Sequence, residues 1–152
     1  MKKNIDRFMQ VALEEATTAA HSGEVPVGAI IVDSKSNTII AQARNLMATM
    51  TDPTAHAEIL AIKKATNFTG TIRLSHCDLY VTLEPCPMCA QAISFARLRR
   101  VYFGAYDPKG GGIDHGPRIF EHKTCHHKPE VIGGFYETDS ADLLRNFFSN
   151  LR

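Results

Sequence analysis

The chain has 152 residues, 44% hydrophobic and 22% charged, with four cysteines and a formal net charge of +1. A chain of this length buries roughly two-thirds of its unfolded surface without needing disulfides, and so ordinary a composition excludes disorder, collagen and coiled coil. No apolar run approaches the ~20 residues of a membrane span. Asp6, Arg7, Glu14 and Glu15 break up any signal-peptide core, so the expected location is the cytoplasm, where reduced cysteines more often bind metal than pair.

Asn4 can cap a first helix in which Phe8, Met9, Ala12, Leu13, Ala16, Ala19 and Ala20 recur at helical spacing, with Gly23 ending it. Gly28 to Asp33 and Thr38 to Arg44 are two β-rich runs separated by Ser34-Lys35-Ser36-Asn37, which predicts an antiparallel hairpin. Asn45 to Pro53 is expected as a loop, and Thr54 to cap a second helix reaching about Ala65.

Cys77 to Thr82 is a predicted strand. Pro87 suits the first position of a third helix running to about Arg97, and Arg100 to Gly104 forms the next strand. The run Gly110-Gly111-Gly112 opens a long irregular segment, followed by a short strand at Val131 and Ile132 and a last helix from Ala141 to Leu151. No repeat or linker interrupts residues 1–152, which are expected to form a single domain. Strands alternating with helices imply an α/β fold with a mixed sheet between helical layers.

Charge is unevenly spread. From Arg97 to Lys128 seven basic residues (Arg97, Arg99, Arg100, Lys109, Arg118, Lys123, Lys128) face three acidic ones, Asp107, Asp114 and Glu121. Such a run is either a solvated face or an electrostatic footprint for a polyanion.

The chemistry concentrates in two short motifs. His56-Ala57-Glu58 alone is weak, whereas a chance C-x-x-C preceded by Pro, as in Pro85-Cys86-Pro87-Met88-Cys89, is expected in well under ~1% of chains with four cysteines. Cysteines three apart at a helix start present both sulfurs to one point, and the helix N-terminus favours thiolates. Two Cys and one His leave zinc a fourth position for water, as catalytic sites require. Glu58, not a ligand, is then the proton carrier, since zinc acidifies water and a carboxylate must move the proton.

Helical rotation is expected to turn His56 and Glu58 to nearly opposite sides of the helix end. A closed structural zinc site would need a fourth donor from Cys77, Cys125, His126 or His127, of which Cys77 is expected in the core; a redox pair would leave His56-Ala57-Glu58 unused.

His-x-Glu followed some thirty residues later by Pro-Cys-x-x-Cys is the signature of zinc nucleobase deaminases, for which the tRNA adenosine deaminase lineage is itself a standard example. Glu24 to Val32, Asp52 to Leu60, Leu79 to Cys89, Val101 to Gly110 and Leu143 to Phe148 closely resemble bacterial tRNA-specific adenosine deaminases. The resemblance implies a three-layer α/β/α cytidine-deaminase-like fold with a five-stranded mixed sheet. It also implies a homodimer with one zinc per subunit, and the anticodon stem-loop of tRNA as partner, wobble adenosine becoming inosine.

By the same resemblance Asn45 contacts the flipped base, and Asp107 and Lys109 lie beside the RNA. Asn45 and Asp107-Pro108 are equally turn signals. Gly112 to Gly116 departs from many members of the family, Cys125-His126-His127 is expected to serve packing and not a second metal, and Phe147 and Phe148 are expected to anchor the last helix in the core, with base stacking second. The competing enzyme reading is a free nucleobase deaminase for guanine or cytosine. A third is a zinc-binding subunit without catalysis, against which Glu58 argues.

Overall fold

The computed structural model describes residues 2–151. In chain order it contains α1 (Lys2–His21), β1 (Gly28–Asp33), β2 (Thr38–Arg44), α2 (Met47–Met50), α3 (Ala57–Thr69), β3 (Cys77–Leu83), α4 (Pro87–Phe95), β4 (Arg100–Ala105), β5 (Glu130–Ile132) and α5 (Glu137–Asn150), with a 3-10 turn at Ile119–Glu121. The sheet order is β2-β1-β3-β4-β5. β1 runs antiparallel to both neighbours, while β3, β4 and β5 are mutually parallel.

Side chains on a strand alternate between faces, and here each face has its own core. Ala29, Ile31, Leu79, Val81, Val101 and Phe103 pack with Ala57, Ala61 and Ala65 of α3 and Ala90 and Ile93 of α4. Ile30, Val32, Tyr80 and Tyr102 pack with Phe8, Met9 and Ala12 of α1. Covered on both sides, β3 is buried from Cys77 through Thr82, Asp78 and Thr82 included, as a strand with a helix layer on each face is. The result is the expected three-layer α/β/α arrangement.

Both hairpin strands match their expected limits, and Asn37 closes the turn with φ +58°, a left-handed conformation Asn tolerates. Helix starts differ. Asn4 lies inside α1 instead of capping it. Thr54 does not cap α3 because its hydroxyl and backbone N–H both donate to Asp52 Oδ1, at 2.7 and 2.8 Å; the helix begins after His56 and runs on to Thr69, where Gly70 ends it at φ +73°. α5 begins four residues before Ala141, with Glu137 and Asp139 in the first turn, where the helix dipole favours acids.

Within the expected loop 45–53 stands the single turn α2. It forms because the Glu24 carboxylate accepts from Ala48 N (3.1 Å) and Thr49 N (2.6 Å) across 24 and 25 residues. Burial raises the Glu24 carboxyl, but the hydrogen bonds from Thr49 and Ala48 outweigh it and hold the group below its ordinary value. The last helix is also attached differently from expectation: Phe148 is exposed, Phe147 is half-buried against it with ring centroids 5.3 Å apart, and Ser140 is the buried residue of α5. Neither aromatic anchors the core.

Phe8 is 1% exposed and meets Tyr80 at a centroid distance of 5.3 Å, so it joins α1 to the centre of the sheet. Phe8→Ala is expected to destabilise the protein by about 3–5 kcal/mol, read as a lower midpoint in urea unfolding; a loss under about 1 kcal/mol would show that α1 is not fixed through this residue.

Candidate active site

Because β1 is antiparallel to its neighbours, its start lies at the same sheet edge as the ends of β2, β3 and β4. A cavity of about 220 Å³ opens there, lined by Val25 and Val27 before β1, Asn45 after β2, Leu83 and Glu84 at the end of β3 and Asp107 after β4, with Met47, His56, Ala57, Glu58, Cys86 and Gly110 completing it. The carboxyl ends of parallel strands are where open α/β sheets bind ligands.

His56 and Cys86 occupy equivalent positions. Each precedes the first residue of a helix, α3 and α4, with extended backbone (φ −73°, ψ 151° and φ −70°, ψ 171°). Pro87 at the first position of α4 pre-sets the helical φ and has no N–H to leave unpaired. The two N-termini therefore converge on one point, where partial positive charge favours thiolate. His56 Nδ1 stands 3.5 Å from both Cys86 Sγ and Cys89 Sγ.

These donor atoms all lie within 4.8 Å of one another and form the one such cluster among the described residues. With Zn–N of ~2.0–2.1 Å and Zn–S of ~2.3 Å, tetrahedral neighbours stand ~3.6 Å apart. The three residues thus fit zinc in both spacing and donor chemistry.

Glu58 lines the same cavity at 4% exposure. The expectation that helical rotation separates it from His56 fails, because His56 is extended and not yet helical; the two converge on one cavity. Burial pushes the Glu58 carboxyl up to about 7, with the neighbouring Cys86 thiolate adding to the rise. A hydrogen bond from Cys89 is the main influence bringing Cys86 down to about 4, with His56 adding to it, while the bond to Cys86 and then burial push Cys89 far up. His56 is raised chiefly by its bond to Cys86.

Asn45 is buried beside the cavity, its Nδ2 donating to Val25 O (3.3 Å) and its Oδ1 accepting from Met47 N (3.2 Å). Each group keeps one further hydrogen-bonding capacity. Asp107 shapes a turn, its Oδ1 accepting from Lys109 N (3.2 Å) and Gly110 N (2.9 Å). Lys109 is exposed at the tip of that turn and does not line the cavity.

Glu84, inside the stretch Leu79 to Cys89, carries a role that local spacing does not reveal. Its side chain is fully buried and accepts five hydrogen bonds: Oε1 from Asp107 N (3.0 Å) and His115 Nδ1 (2.8 Å), and Oε2 from the backbone N–H groups of Ile113, Asp114 and His115 (3.2, 3.0 and 3.1 Å). Burial works upward on its carboxyl, but the bonds from Asp107, His115, Asp114 and Ile113 prevail and lower it. Its contribution to stability is therefore fully present above the ordinary carboxylate range and lost as pH falls through the lowered value.

The glycine run follows from the same contact. A Cβ on Gly111 would stand 2.3 Å from Glu84 Oε2, and one on Gly112 would stand 2.5 Å from Pro87 N. The only signal for this in the sequence was an acid beside Pro-Cys together with three glycines some 26 residues later.

The basic surplus divides. Arg99 forms a double hydrogen bond to Asp78 (2.8 and 2.6 Å), Arg100 pairs with Glu130 (2.7 Å), and both stand at the opposite, entry end of β4. Lys128 pairs with Glu121 at 2.6 Å, and Arg97 donates to the His126 carbonyl at 2.9 Å. No ion pair is formed by Lys109, Arg118 or Lys123 among the described residues.

In the Cys125-His126-His127 stretch His126 is exposed, while Cys125 and His127 pack against the end of α4 and the turn after it. The Cys125 thiol lies 3.3 Å from Ser94 Oγ, and His127 Nε2 donates to the Leu98 carbonyl at 2.7 Å. Cys77 sits in the core, where burial pushes its thiol up to about 11.

The family described as the cytidine and deoxycytidylate deaminase zinc-binding region matches residues 2–105. A tRNA-specific adenosine deaminase of Agrobacterium fabrum is 51% identical over 145 residues, covering 95% of this chain and 94% of that one. A solved structure from a study of A-to-I editing by tRNA:A34 deaminases at the wobble position superposes with a TM-score of 0.88 at 51% identity, covering 91% and 99% of the two chains. A guanine deaminase structure from Bacillus subtilis matches at 42% identity with a TM-score of 0.62, over 66% of this chain and 63% of that one. Family match and near full-length relatives agree with the site built at the sheet edge: the chain belongs to the cytidine and deoxycytidylate deaminase family, in its tRNA-specific adenosine deaminase branch.

Proposed function

We propose that this protein is a zinc-dependent hydrolytic deaminase that converts adenosine to inosine at the wobble position of tRNA and releases ammonia. The observation that carries this reading is the 51% identity to a tRNA-specific adenosine deaminase over 95% of the chain. The guanine deaminase likeness covers about two-thirds of each chain, and this supports the shared deaminase chemistry more than the substrate.

His56, Cys86 and Cys89 are the zinc ligands, one ion per subunit. When bound, zinc supplies Lewis acidity that brings the pKa of a water from 15.7 to about 7. Glu58 takes one proton of the attacking water on its carboxylate and hands it to a ring nitrogen of the base, then carries the proton of the added hydroxyl to the amine, which leaves as ammonia as the C–N bond breaks and the carbonyl forms. A carboxyl raised to about 7 both accepts and releases protons near neutral pH.

The cavity, at about 220 Å³, is smaller than the ~300–1,000 Å³ of drug-sized ligand sites, which suits a single heterocycle extruded from a loop. Asn45 offers the base its remaining amide proton and lone pair, Asp107 faces the nucleotide from the turn, and Lys109 reaches a phosphate outside the pocket. An unpaired anticodon base is already partly unstacked, so extrusion costs little.

A homodimer is supported by the apolar face where α3 meets α4. Ile59, Ile62, Ile72 and Phe95 line a shallow groove there, and Ile72 and Phe95 are 79% and 72% exposed. A cytoplasmic location agrees with four free cysteines and with the tRNA substrate. No helix among the described residues is long and apolar enough to cross a membrane.

Glu58→Ala is expected to retain zinc while losing about 10²–10⁴-fold in rate, measured by elemental analysis beside an inosine assay; a metal-free variant would make Glu58 a ligand. Cys86→Ser and Cys89→Ser should each lose zinc and activity together, from a wild type holding one zinc per chain. Full zinc in either variant would relocate the ligand set.

The substrate reading is tested on an anticodon stem-loop, with free adenosine, guanine and cytosine as controls. Inosine should form in the stem-loop while the free compounds stay nearly inert. With Lys109, Arg118 and Lys123 as the phosphate contacts, log kcat/KM should fall against log salt with a slope of about −2, from −0.7 per contact. Salt-insensitive turnover of a free base with no inosine in RNA would overturn the assignment.

A further inference from the structure

The segment from Gly112 to Gly116, where the sequence departs from many relatives, is held by one buried carboxylate. Glu84 Oε1 accepts from His115 Nδ1 at 2.8 Å while Oε2 accepts from His115 N at 3.1 Å, so one carboxylate grips both the backbone and the ring of the same residue. The His115 ring also meets Tyr106 edge-on at 6.1 Å. Its side chain nevertheless stays 34% exposed. With Nδ1 committed to Glu84, the ring nitrogen left for another partner is Nε2.

The same carboxylate holds Asp107 N, and Asp107 closes the turn through Gly110 that walls the cavity. The His115 carbonyl accepts from Arg118 N at 3.3 Å. Cavity wall, imidazole and the exposed cations Lys109 and Arg118 are thus carried on one loop whose internal support is Glu84.

We propose that His115 contacts the phosphodiester backbone of the RNA substrate by donating Nε2–H from its imidazolium form, and that Glu84 is a positioning residue whose carboxylate holds Nδ1–H and sets the direction of that ring. The proposal rests on the tRNA reading above. A ring tethered at Nδ1 has lost most of its rotational freedom before substrate arrives, so a hydrogen bond from Nε2 forms at lower entropic cost than one from a flexible lysine. Glu84 touches neither base nor metal in this assignment.

The test uses full-length zinc-loaded protein and an anticodon stem-loop. His115→Ala should raise KM about tenfold, the loss of one hydrogen bond to a charged group, with kcat within about twofold and zinc content kept at one per chain. His115→Gln, which retains a donor, should recover part of that loss. Glu84→Gln should raise KM at least as much as His115→Ala does, because it also loosens four backbone N–H groups, and adding His115→Ala to it should cost nothing further, because the His115 contact is set through Glu84.

A direct signature is the ¹⁵N spectrum of His115 in the Glu58→Ala protein. The free protein should show Nδ1 protonated, and adding the stem-loop should shift Nε2. An unmoved Nε2 resonance, or a KM equal to wild type in His115→Ala, overturns the proposal while wild type still makes inosine. Wild type that makes no inosine overturns the tRNA reading and this proposal together.

Discussion

The direction of one strand decides where chemistry occurs in this protein. β1 runs against β2 and β3, while β3, β4 and β5 run together. That single reversal brings the start of β1 and the ends of β2, β3 and β4 to the same edge, so Val27, Asn45, Glu84 and Asp107 face one cavity despite spanning 80 residues of sequence. The crossover from β3 to β4 must pass through α4, and the residue that turns the chain into α4 is Cys86. A candidate metal ligand at a helix start is therefore a consequence of the topology, and α3 supplies its counterpart in His56 at its own start.

Two buried carboxylates convert this edge from a set of loops into a defined surface. Glu24 satisfies the free N–H groups of α2, which includes Met47 of the cavity lining. Glu84 does the same for a segment with no helix at all, collecting four backbone donors and one imidazole. A buried carboxylate without partners would be costly, and each hydrogen bond to a charged acceptor contributes about 1.5–3 kcal/mol, so these polar contacts order the loops beside the burial of Ile113 in the core. Both glutamates keep lowered carboxyl values in a site where burial outweighs the hydrogen bonds from Glu58's own backbone and from Cys89 and raises Glu58 to about 7. Environment alone thus separates the two structural acids from Glu58.

What could be read from the sequence follows the range of the forces involved. The hairpin strands were legible to the residue because alternation and turn chemistry are local, and the metal cluster because three residues in two motifs define it. The start of α4 was legible through Pro87, but that of α3 was not, since Thr54 spends its hydroxyl on Asp52 and the capping position passes to His56. α2 and the rim from Asp107 to His115 depend on partners more than twenty residues away, which no periodicity records. The paired aromatics near the C-terminus misled for a related reason: Phe147 and Phe148 have apolar character but α5 meets the sheet through Ser140, leaving them half-buried and exposed.

The charge pattern illustrates the same limit and narrows how RNA is addressed. Counted along the chain, the surplus between residues 97 and 128 looks like one basic patch. In three dimensions Arg99 and Arg100 belong to the opposite edge of the sheet, held by Asp78 and Glu130, and Lys128 is matched by Glu121. Among the described residues Arg97 has no ion pair but is bound to the His126 carbonyl, which leaves Lys109, Arg118 and Lys123, of which Lys109 stands on the cavity-wall turn and Arg118 on the loop tied to Glu84. An electrostatic contact of about three charges is weak beside the six to ten that give large salt effects in nucleic-acid binding. Under the proposed tRNA reading, selectivity then draws on shape, on a cavity of about 220 Å³ and a rim held by Glu84 before the substrate arrives.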